Sequence, residues 1–141
     1  MDVAVTSEQA RKTMPIDELT RIVIACCYKV HAGLGFGFLE SVYKRALVYE
    51  MGSRGLLAEE EVPLAVRYGS AIVGSYYADI IVDKRLIVEV KAVETLHLRH
   101  EIQLVNYLAA TGIQDGLLVN FSARKVDVKR KYRTLKLEEL F

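Results

Sequence analysis

Two apolar runs, Tyr77-Ala78-Asp79-Ile80-Ile81-Val82 and Leu86-Ile87-Val88-Glu89-Val90-Lys91, flank the short polar segment Asp83-Lys84-Arg85. Such a pattern folds as an antiparallel hairpin. If the three polar residues form the loop, Val82 pairs with Leu86 and Asp79 falls opposite Glu89. Cross-strand neighbours stand about 5 Å apart, and like charges there repel. A cation is therefore expected beside the two carboxylates. Lys91, two residues beyond Glu89, shares its face of the strand. Both strands are apolar on both faces, so they belong at the centre of a sheet with helices on either side.

The rest of the chain supplies those helices. Apolar residues at Leu19, Ile22, Val23, Cys26, Cys27 and Val30 follow helical spacing from Ile16 to about Gly33. A second helix is predicted from about Phe38 to Ser53, with Leu39, Val42, Tyr43, Ala46 and Leu47 inward. Strands are expected at Ala58 to Tyr68, Ala71 to Val82 and Leu86 to Lys91. A third helix follows from Leu96 to Thr111, with Leu98, Ile102, Val105 and Leu108 or Ala109 inward and Gly112 as its stop. Two last strands run from Gly116 to Phe121 and from Val126 to Lys131. The third helix bridges two strands as a β-α-β crossover. The expected fold is α/β: a mixed sheet sandwiched by helices. Residues 1–13 read as a flexible N-terminal leader and residues 14–141 as one domain.

Composition narrows the function less than the hairpin does. With 52% hydrophobic and 26% charged residues, the 141-residue chain has the make-up of an ordinary globular domain. No apolar stretch approaches the roughly 20 residues of a membrane span. A net charge of +1 announces no nucleic-acid binder in bulk. Locally, Arg124 to Lys136 is strongly basic, either a phosphate-binding strip or a solvated strand face. Cys26 and Cys27 are adjacent on a helix, unsuited to a mutual disulfide or a metal, and imply a reducing cytoplasm. Gly33, Gly35 and Gly37 join two helices and follow no strand, so they form no dinucleotide-binding loop.

The hairpin carboxylates carry the chemistry. Burying two of them unpaired costs several kcal/mol. A Mg²⁺ or Mn²⁺ ion, bound through oxygen, would offset that cost and would polarise a phosphodiester. Lys91 would then orient or deprotonate the attacking water, or stabilise charge on the phosphate. The plainer alternative is a solvated pair at the strand ends with Lys91 as ion-pair partner. Glu40 and Tyr43 share a helix face; on their own they read as a carboxylate complementing the helix dipole and a core tyrosine. Gln103 and Tyr107, one turn apart, form a polar stripe. His97 and His100 read as surface residues.

Asp79 and Glu89-Val90-Lys91, on adjacent strands followed by a helix, resemble the core of the PD-(D/E)XK nuclease superfamily. Gly37-Phe38-Leu39-Glu40-Ser41-Val42-Tyr43 is similar to the motif that names the GxxExxY protein family. Tyr77-Ala78-Asp79, Val88 to Ala92, Gln103 to Leu108 and Leu117 to Phe121 extend the resemblance, which covers about residues 16 to 133. Ala78 stands where the motif has proline, a position without catalytic chemistry. The resemblance implies a restriction-endonuclease-like helix–sheet–helix fold and magnesium-dependent hydrolysis of DNA or RNA. It also implies Glu40 near the metal with Asp79 and Glu89, Lys91 as catalytic lysine, and Gln103, Tyr107 and Tyr43 positioning substrate. An intact acidic–lysine set argues for activity, since a domain that had lost it would have no reason to keep the set. The competing expectation is a non-catalytic nucleic-acid-binding or regulatory module on the same fold. A homodimer is a further expectation, because cutting both strands of a duplex takes two sites.

Overall fold

A computed structural model of the chain describes residues 6, 8, 9 and 14–134. The leader expected at 1–13 and the end of the basic segment therefore lie almost wholly outside the described residues. Helix α1 (Ile16–Leu34) opens after Pro15, carries Asp17 and Glu18 in its first turn, and closes at Gly35. Both ends obey helix-terminus chemistry: proline supplies the entry angle, acids meet the positive dipole end, and Gly35 takes the φ of 74°. Helix α2 (Glu40–Ser53) follows, then strands β1 (Ala58–Tyr68), β2 (Ala71–Val82) and β3 (Leu86–Lys91). Helix α3 (Leu98–Thr111) crosses to β4 (Asp115–Phe121), and β5 (Val126–Tyr132) completes the sheet.

The five strands lie in sequence order, antiparallel except for the β3–β4 pair, which the α3 crossover makes parallel. Strand β3 is central and almost wholly buried, as its apolar run requires. One face packs α1 and α2 through Leu19, Val23, Cys27, Tyr43, Leu47 and Met51 against Ile80, Val88 and Val119. The other packs α3 through Leu104, Tyr107 and Leu108 against Ile81, Ile87 and Leu118. The mixed helix–sheet–helix sandwich expected from the sequence is the architecture observed.

Two inward faces differ from expectation. In α3, Leu98 and Ile102 are 70% and 51% exposed, while Leu104, Tyr107 and Leu108 are buried. The helix carries two apolar stripes, and its seat on the sheet selects one. Leu104 sits over Gly116, where an added Cβ would stand 2.9 Å from Leu104 Cδ1, so the missing side chain on β4 fixes the helix rotation. In α2, Leu39 precedes the helix and is 76% exposed, Val42 is also exposed, and the buried stripe is Tyr43, Leu47 and Met51.

The long β1–β2 ribbon changes face partway along. Ile80 and Val82 pack toward α1 and α2, yet Ala78 packs toward α3, although strict alternation would put Ala78 and Ile80 on one side. Across the ladder, pairs Glu60↔Ile80 and Val62↔Ala78 bracket Glu61 and Asp79, and Glu61 has a φ of 51°. The ribbon turns over at these two residues. Beyond them it curls over α3 and leaves its outer residues in solvent.

Candidate active site

The same irregularity makes the site. The β2–β3 ladder runs Val82↔Leu86, Ile81↔Ile87 and Ile80↔Val88, then stops. The next residues in register are Asp79 and Glu89, and their side chains take over the pairing. The Asp79 backbone N–H donates to Glu89 Oε1 at 3.0 Å, and the Val90 N–H donates to Asp79 Oδ2 at 2.8 Å. Each carboxyl thus satisfies an amide that the ladder leaves unpaired, and one oxygen of each lies outside these bonds.

Glu89 is only 4% exposed. Burial, reinforced by the charge of Asp79 and a hydrogen bond between the two carboxyls, pushes Glu89 up to about 8. Lys91 draws it the other way by a smaller amount. Glu89 is thus the carboxyl that resists ionisation, as expected where two carboxyls share a site.

A cation expected from the repulsion of the pair is present from a second source as well as Lys91. Lys44, on α2, stands 3.6 Å from Asp79 Oδ1 and is bonded to Glu61. Burial would lower Lys44, but the Glu61 hydrogen bond and the charges of Asp79 and Glu61 outweigh it and hold its pKa above the ordinary value. Lys91 is half-buried and makes no hydrogen bond or ion pair among the described residues. Its charge is nonetheless felt by Glu89 and by His100, which burial and Lys91 hold below the ordinary imidazole value. Lys91 is therefore a cation beside the carboxyl pair with its nitrogen uncommitted.

Tyr107 reaches the site from α3. Burial and the charges of Glu89 and Asp79 raise its pKa, and its ring lies 5.8 Å from that of Tyr76. Gln103, one turn earlier, lines with Tyr107 a groove between α3 and the curled ribbon. Two expected members are not brought in. Glu40 is exposed on the first turn of α2 and bonds to nothing among the described residues. Tyr43 is fully buried, stacks on Phe121 at 4.4 Å between ring centroids and donates its hydroxyl to the Gly35 carbonyl at 2.6 Å. Its position is a packing one, in contrast to the substrate-positioning role expected for it. His97 and His100 cap α3 together, His100 Nδ1 accepting from the His97 N–H at 3.2 Å.

Three residues of this neighbourhood were missed in the sequence. Lys44 lies four residues after Glu40, hence on the same helix stripe, and that spacing was the available signal. Glu61 lies with Asp79 in the gap between the pairs Glu60↔Ile80 and Val62↔Ala78, but its positive φ leaves no mark in the sequence. Asn120 is fully buried on β4 opposite Lys91 and clamps the exit of β3, accepting from the Val93 N–H at 2.9 Å and donating to the Val93 carbonyl at 2.8 Å. The basic segment resolves toward its plainer reading: Lys129 and Lys131 pair with Glu101, and Arg130 pairs with Asp17 and Asp115.

The donors suit a hard divalent cation. Mg²⁺ takes one or two carboxylates and completes its shell with water and substrate phosphate, and Asp79 and Glu89 each keep one carboxyl oxygen outside the bonds to the backbone. Among the described residues no group of three or more His, Cys, Asp or Glu side chains is placed to hold a metal, so Glu40 completes no such set.

The profile of the PD-(D/E)XK nuclease superfamily matches residues 17–131. Among solved structures, that of SSO0001 superposes with a TM-score of 0.54 at 21% identity, over 71% of this chain and 52% of that one. The chain thus spans about half the length of that protein. The alkaline exonuclease LHK-Exo from Laribacter hongkongensis superposes with a TM-score of 0.51 at 14% identity, over 92% of this chain and 77% of that one. At these identities the likeness is one of fold. No curated protein matches the chain by sequence.

Proposed function

The chain belongs to the PD-(D/E)XK nuclease superfamily, and from that premise we propose that it hydrolyses phosphodiester bonds of DNA or RNA with Mg²⁺ or Mn²⁺ held by Asp79 and Glu89. One observation carries this reading: two carboxyls that take over the backbone pairing at the end of a ladder, beside the uncommitted Lys91. The bound ion would supply charge to the scissile phosphate and acidity to a water. The chain's own residues do the rest. Asp79 is oriented by the Val90 N–H and Glu89 by the Asp79 N–H, so neither carboxyl has to reorganise when the ion arrives. Loss of a proton from Glu89 would strengthen the pair as a ligand. Lys91 offers a base or a charge-stabilising donor on the same face as Glu89.

Tyr107, beside the pair, and Gln103, in the adjoining groove, are the substrate-positioning residues of this reading. The Gly37 to Tyr43 motif supports the finer GxxExxY assignment, with Tyr43 packing inside the fold and Glu40 reaching the metal only if its side chain swings inward. Cys26 and Cys27 are free and buried, which favours a reducing, cytoplasmic setting. No described helix is long and apolar enough to cross a membrane.

The test is cleavage of labelled single- and double-stranded DNA and RNA by the purified chain with Mg²⁺ or Mn²⁺. Activity should vanish with chelator, with Asp79→Asn and with Lys91→Ala. Absence of cleavage from every substrate, with nucleic-acid binding intact and indifferent to metal, would instead establish the binding-module reading.

A further inference from the structure

The groove between α3 and the curled β1–β2 ribbon has a volume of about 750 Å³ and is lined by Arg67, Tyr76, Arg99, Gln103, Asn106 and Tyr107 together with small apolar side chains. No acidic residue lines it. Arg67 stands on the ribbon just past its register shift, and Arg99 in the first turn of α3, so the two arginines face the groove from opposite walls. Neither makes an ion pair or hydrogen bond among the described residues. This contrasts with β5, where Lys129, Arg130 and Lys131 are all engaged with carboxylates. Two unpaired guanidinium groups facing one channel form a site for anions spaced along a chain, since each binds phosphate in a two-pronged manner.

The aromatic residues specify the form of that chain. Tyr76 is 47% exposed, and its ring meets Tyr107 at an interplanar angle of 43°. A tilted pair leaves ring faces open to a flat partner. Bases inside a duplex have both faces covered by their neighbours, whereas an unpaired strand offers every face for stacking. Gln103 and Asn106 add amide donors and acceptors along the α3 wall. Tyr107, in the groove's lining, feels the charges of Glu89 and Asp79.

We propose that this groove binds a single strand of nucleic acid, with phosphates on Arg67 and Arg99 and a base on Tyr76, and leads it past Tyr107 to Asp79 and Glu89. The last clause rests on the nuclease reading; the binding does not. A single strand needs one centre per cut, so no second copy is required.

The test is fluorescence anisotropy of the full chain with labelled oligo(dT), oligo(U) and a closed-hairpin duplex, all in chelator so that cleavage cannot intervene. The expected result is at least tenfold tighter binding of the single strands than of the duplex. Arg67→Ala and Arg99→Ala should each weaken it and reduce the slope of log affinity against log salt by about 0.7. Tyr76→Ala should weaken it about tenfold with the slope unchanged, and Tyr76→Phe should restore it. All three side chains are exposed, and circular dichroism of each variant verifies the fold. Equal or tighter duplex binding, or arginine and tyrosine variants that bind as the parent does, would overturn the proposal even if the chain cleaves. Groove-dependent binding without cleavage in Mg²⁺ or Mn²⁺ would uphold the groove and remove the nuclease reading alone.

Discussion

Replacing Glu89 with glutamine separates the electrostatics of the pair from its geometry. Glutamine keeps the oxygen that accepts the Asp79 N–H at 3.0 Å, and its amide can donate to Asp79 as the protonated acid does. What disappears is a titration. Burial and the neighbouring Asp79 raise Glu89 from 4.5 to about 8, so the folded chain holds a proton that the unfolded chain has released. Between those values folding takes up a proton, and stability falls as pH rises, by about 1.4 kcal/mol per pH unit. The whole interval corresponds to about 5 kcal/mol, a ceiling that Lys91 and water entering the site reduce. Urea unfolding in chelator at pH 5.5 and 8.5 samples roughly 3 kcal/mol of it. The parent should lose about that much more than Glu89→Gln over this range, and the variant should be the more stable protein at pH 8.5. Saturating Mg²⁺ should close most of that gap, adding about 2.7 kcal/mol to the parent at a hundredfold excess over Kd and little to the variant. Parallel pH curves for the two proteins would refute the raised pKa of Glu89.

Two further substitutions probe what surrounds the pair. Lys44→Met removes an ammonium 3.6 Å from Asp79 Oδ1; a dication about 6 Å from that charge is repelled by about 1.4 kcal/mol even at the dielectric of water, so Mn²⁺ should bind the variant at least tenfold tighter by electron paramagnetic resonance. Weaker binding would mean that Lys44 holds Asp79 in place rather than competing with the metal. Tyr43→Phe leaves the Gly35 carbonyl without its 2.6 Å donor and should cost about 1 kcal/mol in urea unfolding with no change in cleavage rate; lost cleavage at unchanged stability would return Tyr43 to the substrate site.

Much of the frame was legible because local signals and burial agree. The apolar runs around Asp83 to Arg85 dictate a hairpin whose Val82↔Leu86 pairing is the one observed, and the glycines after α1 and α3 end those helices where helical periodicity does. The rotation of α3 was hidden. Leu98 and Ile102 on one stripe and Leu104 and Leu108 on another are equally apolar, and only the bare backbone of Gly116 beneath the helix decides between them. The repulsion between Asp79 and Glu89 foretold a nearby cation from elementary electrostatics, and sequence proximity pointed only to Lys91, whose charge Glu89 does feel. Lys44 adds a second charge because α2 packs across the turn-over of the ribbon, a long-range placement that no local pattern encodes. That turn-over is also what brings Arg67 and Tyr76 round to α3.

The takeover of the ladder by two carboxyl side chains bears on how such a protein ages in evolution. A descendant freed from the need to cut would still have the Asp79 and Val90 amides to satisfy, and leaving a buried donor unpaired costs about 1–3 kcal/mol. Selection for folding alone would keep an acid or its amide at both positions. The acidic signature can therefore outlive the activity, and its survival is no proof of catalysis. The Lys91 side chain, which makes no hydrogen bond or ion pair among the described residues, has no such structural duty. Among relatives, it is the lysine that should drift first once cutting stops, and its persistence separates a working copy from a relic.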